Sequence, residues 1–296
     1  MSSMTRDVSA AGSYKGWYIG VKQREKIFDI LSYVFLTAGS ILTLFPFLWM
    51  ISTSLKETQY LLQFPPQWIP NPVNIQNYID VWDLVPLAKG FQNSFTIAII
   101  GTFGVLFSSS LAGFSFAKLE FPGRDKLLIL LMSAMMIPGM VLLIPQFLLF
   151  KELEWINTFK PLIIPSFFGA IYETFFFRQY YRTIPQDLID AAQIDGASTF
   201  TIYLRIAVPL AKPVFATLSV LAFMWRWNDY MGPLIYLSDI EKQTLPVMIG
   251  TFQSQYSTAY GLMMAASVLS ILPIIVLFFF MQRYFVEGIT MSGLKG

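Results

Sequence analysis

Apolar and polar positions alternate in long blocks along this chain, and the blocks predict its elements. Six apolar runs stand out, at about 30–52, 93–117, 127–150, 161–180, 213–236 and 260–284. About 20 apolar residues in helical form cross about 30 Å of hydrocarbon, so each run reads as one spanning helix. The fourth reaches that length only if it continues through Gln179 and Tyr180. The fold class is therefore an all-α integral membrane protein. Residues 1–29 form a polar tail, 30–285 a six-helix transmembrane domain, and 286–296 a second polar tail. The first run is too long for the core of a signal peptide and lacks a small-residue cleavage site, so it reads as a retained span. Pro46, Pro138, Pro145 and Pro273 fall inside runs, where a proline predicts a kink rather than a binding role.

Between the fourth and fifth runs lies a polar stretch, 183–211, that must project into water. Its punctuation predicts two short helices meeting at an elbow. Pro185 suits a first helical turn, Gly196 the position just past a helix end, and Ser198 or Thr199 an N-cap. Leu188, Ala191, Ala192 and Asp195 fall on one face of the first helix, with alanines small enough for another surface to come close. The second helix presents Phe200, Tyr203 and Leu204 and is expected to stop at Pro209. Periodicity and breakers alone fit an ordinary hairpin between spans equally well.

Basic residues orient the spans. Fourteen Lys and Arg lie in the two tails, in 118–126 and in 178–212, against six in the alternate segments. The positive-inside rule puts both termini, and with them the elbow, in the cytoplasm. Composition agrees with a membrane protein: 55% of residues are hydrophobic, 13% are charged, and the mean hydropathy is +0.57. A soluble domain averages about a quarter charged. The net charge of +2 points to no nucleic-acid partner. Cysteine and histidine are both absent, which removes disulfides, the commonest metal ligands and the usual general base. No phosphate-cradling GxxxxGK[ST] run occurs, so an ATP-driven process needs another chain to hold the nucleotide.

Asp190-Ala191-Ala192, three residues, Gly196, nine residues, then Ile206-Ala207-Val208-Pro209 resembles the EAA loop of permease subunits in bacterial ATP-binding-cassette importers. Asp190 stands where that family usually has Glu, and Val208 where it usually has Leu. Phe114 to Leu119, followed by Phe121-Pro122-Gly123-Arg124, resembles the turn between the second and third spans of sugar permeases. Trp227-Asn228-Asp229 with Gly232-Pro233-Leu234, and the closing GITMSGLKG (Gly288 to Gly296), are similar to the maltose-type carbohydrate branch. Within that branch the tail is similar to the second, MalG-like permease subunit. The matching pieces run from about Phe91 to the C-terminus.

This resemblance implies a type I importer fold in the bacterial inner membrane, working by alternating access. Its implied partners are membrane lipid, a second homologous permease, two ATPase subunits and an extracytoplasmic solute-binding protein. ATP and Mg would sit on the ATPases, with no cofactor in this chain. Asp190, Ala191, Ala192, Asp195, Gly196, Ile206 and Pro209 would form the coupling site on the ATPase groove. The C-terminal tail would reach the interface between the two ATPases.

Two places offer candidate substrate-path residues, since an ionisable side chain in a span usually faces a cavity or a partner. Trp225, Arg226, Trp227, Asn228 and Asp229 lie about 20 Å from the cytoplasmic start of the fifth run. Arg226 and Asp229 are three apart and share a helix face. The group reads either as an interfacial Trp and Arg belt or as a sugar-facing cluster. Glu173 in the fourth run reads either as a buried or paired acid or as a substrate contact. The connection Leu237 to Thr258 is long for a helix–helix loop. Gln253, Gln255 and Tyr256 in it are candidates for a loop that reaches the binding protein and helps expel its ligand, the alternative being a plain surface loop. The function expected is import of oligosaccharides or sugars. Competing readings are an importer of amino acids or peptides from the same superfamily, an ion-coupled secondary transporter, and an intramembrane enzyme. The last is hard to build without His or Cys.

Overall fold

The structure, a computed structural model, describes residues 21–61, 63–255 and 259–293. Among the described residues every regular element is helical. The chain divides into two units, Met1–Trp49 and Met50–Gly296. In the first, helix α1 (Val21–Ser54) runs through Trp49 with apolar side chains exposed all round, among them Phe28, Leu31, Phe35 and Leu42. A helix that is apolar on every side is one that lipid or a partner must cover.

The second unit is built on α3 (Leu87–Lys118), a helix of 32 residues whose inner side carries Gly101, Gly104, Ser109, Ser110 and Gly113. Small residues let spanning helices approach closely, because no hydrophobic force holds them together in lipid. A Cβ on Gly113 would lie 2.6 Å from the Phe177 Cβ and 2.9 Å from the Arg178 backbone nitrogen, both on α7 (Ile171–Thr183). Packed on α3 are α2 (Gln76–Leu84), α4 (Arg124–Ala134) and α6 (Lys160–Ile163), while α5 (Gly139–Glu152) follows α4 in the chain. Then come α7, α8 (Gln186–Ile194), α9 (Thr199–Ile202), α10 (Val208–Leu210), α11 (Lys212–Trp227), α12 (Met231–Tyr236), α13 (Leu245–Gln255) and α14 (Tyr260–Gly293).

Among the described residues, three helices are long and apolar enough to cross a membrane unbroken: Arg24–Ser54, Leu87–Lys118 and Tyr260–Gln282. The other three expected spans are interrupted. The third bends by 95° between α4 and α5, where Pro138 precedes the first turn of α5 in extended conformation. A proline ring disfavours a helical residue before it, so Ile137-Pro138 ends one helix and starts the next. The fourth is α6, a 3-10 turn over Ile164–Phe168, Gly169 at φ +84° and then α7. The fifth stops at Trp227 and resumes at Met231. Backbone groups freed at depth must find partners. In the fourth they find the serines of α3: Ser108 Oγ donates to Ser166 O (3.1 Å), and Ala170 N–H donates to Ser109 Oγ (2.9 Å).

The long connection after α12 is largely ordered as helix α13 rather than a loop. Its Leu245, Met248 and Phe252 are fully buried with Val81, Leu87, Ala98, Trp227 and Ala266. Leu, Met and Phe at i, i+3 and i+7 give it one apolar stripe, which α3 and α14 cover. Ser94 Oγ accepts the Leu245 N–H (2.9 Å) at its start.

Replacing Gly113 by Val should lower stability by about 1–3 kcal/mol through overpacking against α7. Gly139→Ala, where an added Cβ meets nothing within 4 Å, should cost little. Thermal unfolding of the two purified variants in one detergent measures the difference.

Candidate coupling elbow and translocation cavity

The elbow forms as its punctuation dictates. Pro185 stands before the first turn of α8 with ψ 135°, and Asp187 lies within that turn, where the helix dipole favours a carboxylate. Gln186 Nε2 donates to Asp190 Oδ1 (3.0 Å) one turn on. At the other end Gly196 takes φ +81°. Its N–H reaches Gln193 O (3.0 Å), and the Ala197 N–H reaches Ala192 O (2.9 Å). That pair of bonds is a Schellman motif, which satisfies the last carbonyls and needs a left-handed residue at the glycine. Ser198 is the cap of α9, accepting the Thr201 N–H at 3.2 Å.

The second helix does not stop at Pro209. A π-helical turn over Tyr203–Ala207 follows α9, with the Val208 N–H bonded to Tyr203 O, and the helix runs on to Leu210. A wider turn relieves the clash between a proline ring and the carbonyl four residues back. The chain then bends by 78° at buried Ala211 and enters α11.

Side chains divide the elbow into two faces. Ile189 is 2% exposed and Ala192 packs beside it against the chain's own core, so Ala192 does not lie on the free face with its neighbour. Leu188, Ala191, Ile194, Asp195, Phe200, Leu204 and Pro209 are exposed, Ile194 by 86%, while Ile206 packs against the core. Contacts that the sequence did not flag fix the elbow to the spans. Lys118 Nζ donates to Ile184 O (2.7 Å), and Tyr180 Oη donates to Leu210 O (2.7 Å). Ser110 Oγ bonds Tyr181 Oη (2.6 Å) and accepts from Tyr203 Oη (3.1 Å), all three groups buried. Phe114, Phe177, Tyr181, Ile189, Ile202, Tyr203 and Leu218 form one core, so elbow, α3, α7 and α11 share it.

A cavity of about 1050 Å³ opens between α5, α6, α11 and α12. Trp225, Arg226, Asn228 and Asp229 line it, joined by Gln146, Ser166 and Tyr236, which sequence reasoning missed. Trp225 is 79% exposed. Arg226 does not pair with Asp229 within 4 Å. Its Nη1 donates to Ala222 O (3.1 Å) and its Nη2 to Ser166 Oγ (3.0 Å), tying α11 to the break in the fourth span. The guanidinium fits because residue 101 is glycine: a Cβ there would lie 2.5 Å from Arg226 Nε. Asp229 Oδ1 instead accepts the Gly232 N–H (3.1 Å) and caps α12. Asn228 Nδ2 donates to Met224 O (2.9 Å). The Tyr236 hydroxyl is buried and has no hydrogen-bond partner.

Two expected members lie elsewhere. Trp227 is fully buried on the opposite face of α11, stacked on Phe223 with ring centroids 5.5 Å apart, its Nε1 bonded to Ser270 O (3.0 Å). Neighbours at i and i+2 on a helix face different ways, so the sequence cluster splits. Glu173, half-buried on α7, does not line the cavity, though it lies within electrostatic range of Arg226. Gln253 is exposed near the end of α13, the Gln255 backbone closes that helix, and Tyr256 lies outside the described residues. No group of acids able to hold a metal occurs among the described residues.

Helices interrupted around a cavity and joined to an elbow by one core suit a membrane transport subunit. Comparison with known proteins makes this specific. The chain belongs to the family described as binding-protein-dependent transport system inner membrane component, whose profile matches residues 104–291. It is therefore a multi-pass inner-membrane permease of a binding-protein-dependent transporter rather than a catalytic subunit. It is 34% identical to the arabinooligosaccharides transport system permease AraQ of Bacillus subtilis, over 91% of this chain and 97% of that protein. It is 33% identical to the lactose permease LacG of Rhizobium radiobacter, over 90% and 96%. Its fold matches a chain from the crystal structure of a bacterial transporter that imports alginate, an acidic polysaccharide (TM-score 0.77, 24% identity, covering 89% and 98%).

The two neighbouring tryptophans should behave oppositely. Trp227→Ala should cost about 3–5 kcal/mol of stability by emptying a packed core. Trp225→Ala should leave thermal unfolding unchanged, and any loss it causes should appear in solute uptake.

Proposed function

We propose that this chain forms half of the translocation pathway of an ATP-driven importer of oligosaccharides, paired with a second permease and served by two ATPases and a solute-binding protein. The observation that carries this reading is the cavity. An exposed indole at Trp225 and the amides of Gln146 and Asn228 suit a sugar, which offers a flat apolar face and many hydroxyls. Relatives named for arabinooligosaccharides and lactose support the same substrate class. Each interrupted run counts as one span in this reading, giving six spans with both termini and the elbow in the cytoplasm.

The exposed apolar side chains of the elbow, Leu188, Ile194, Phe200 and Leu204, are the surface an ATPase groove would cover. The shared core beneath them would carry ATPase closure to α3, α7 and α11 as a rigid-body movement. Gln253, Gln255 and Tyr256 would meet the binding protein on the other side, and the tail at Ser292 to Gly296 would meet the ATPases.

Uptake and ATPase assays on the assembled complex test this. Gly196→Val forces a branched side chain to φ +81°, and Ala191→Arg places a long cation on the free face. Both variants should insert and assemble yet lose most substrate-stimulated ATP hydrolysis. Normal stimulation in both would remove the elbow from the coupling role. Ala192→Arg should instead disturb the elbow's own packing and lower stability. Replacing Gln253–Ser257 by Gly and Ser should spare docking of the binding protein while slowing ligand release. Unchanged uptake and release would make that segment passive.

A further inference from the structure

A basic group at the ends of α4 and α7 belongs to neither site. Arg178 and Arg182 are one turn apart on α7 and share a face. Arg178 lies in the electrostatic field of two cations, Arg182 and Arg124, with Asp125 as the opposing carboxylate. Its Nε is buried without a hydrogen-bond partner, and its Nη1 makes one long bond, to Gln179 Oε1 at 3.3 Å. Arg124 spends its Nε on Asp125 Oδ1 (3.1 Å) and its Nη1 on Leu119 O (3.3 Å). Beside it a cavity of about 360 Å³ opens among Glu120, Phe121, Gly123, Arg124, Asp125 and Lys126. Arg178, Arg182 and Arg124 thus share one electrostatic neighbourhood with Asp125, and Lys126 and Glu120 line the adjoining cavity. Like charges held this close raise the energy of the folded chain unless an anion joins them.

The surroundings say what kind of anion. Up α4 from Arg124 the surface is apolar, with Leu127 43% and Leu130 66% exposed, and on α7 Phe176 is 42% exposed. The group sits where apolar helices end, α3 at Lys118 and α7 at Thr183, which is the depth of lipid headgroups. A ligand with an anionic head and an apolar tail satisfies both halves. Planar guanidinium groups match phosphate oxygens two at a time. We propose that Arg178, Arg182, Arg124 and Lys126 bind the phosphodiester headgroup of an anionic phospholipid, in the cytoplasmic leaflet on the orientation given above. Such a lipid would brace the α4 end of the bent pair against α7, next to the start of the elbow.

The whole transporter, equilibrated in phosphatidylcholine nanodiscs doped with phosphatidylglycerol and then moved to neutral detergent, provides the test by native mass spectrometry. Arg178→Gln with Arg182→Gln should retain about tenfold less phosphatidylglycerol than the parent, since each basic residue near an anionic surface contributes appreciably. Lys126→Gln with Arg182→Gln removes only exposed side chains, so it reports on the site independently of folding, and it should lose retention severalfold. Arg205→Gln with Lys212→Gln, exposed cations elsewhere, should retain the parental amount. Excess inorganic phosphate should leave retention unchanged. Parental retention in both site variants overturns the proposal. So does an equal loss in the Arg205 and Lys212 pair, which would mean diffuse surface attraction, or displacement by inorganic phosphate, which would mean a free-phosphate site.

Discussion

Three hydroxyls in an apolar core hold α3, α7 and the elbow together. Ser110 on α3 is fully buried and bonds Tyr181 of α7 and Tyr203 of the π-turn after α9. Each hydroxyl is satisfied only by the others, and leaving one unpaired costs about 1–3 kcal/mol. The three elements therefore keep one arrangement. Phe114, Phe177 and Ile189 close around them, and Lys118 reaches out of the same core to the Ile184 carbonyl. An elbow fixed in this way cannot move without moving α3 and α7.

The same economy of partners explains why broken helices surround the cavity. Lipid offers no hydrogen bonds, so a helix can unwind at depth only where protein or water takes the freed groups. Ser108 and Ser109 take those of the fourth span. Arg226 adds a charged clamp from α11 to Ser166, seated in the space that Gly101 leaves. Asp229 turns its carboxylate to the backbone of α12 instead of to Arg226. The breaks thus put polar side chains, among them Gln146, Ser166, Arg226 and Asn228, around one cavity.

Much of this was legible in the sequence, and for local reasons. Length and apolarity located the long helices α1, α3 and α14, because crossing hydrocarbon is a demand each segment meets alone. The elbow was legible for the same kind of reason: Pro185, Gly196 and Ser198 act on their own backbone, and each stands at the helix end it marked. The Asp190 to Pro209 spacing carried the family resemblance that the comparisons bear out.

Only the tertiary structure decided where side chains face and which interruptions become breaks. Pro138 coincides with a 95° bend, whereas Pro145, Pro46 and Pro273 stay inside helices, and Pro209 is carried through on a π-turn. Trp225 and Trp227 read as one cluster until α3 and α14 buried the second, and Ala191 and Ala192 read as one face until Ile189 drew the second inward. The segment 245–255 read as part of the connection between two spans, and it is a helix whose apolar stripe α3 and α14 cover. Local chemistry set the elements and their ends. Burial against elements far away in sequence assigned each residue to core, cavity or free surface.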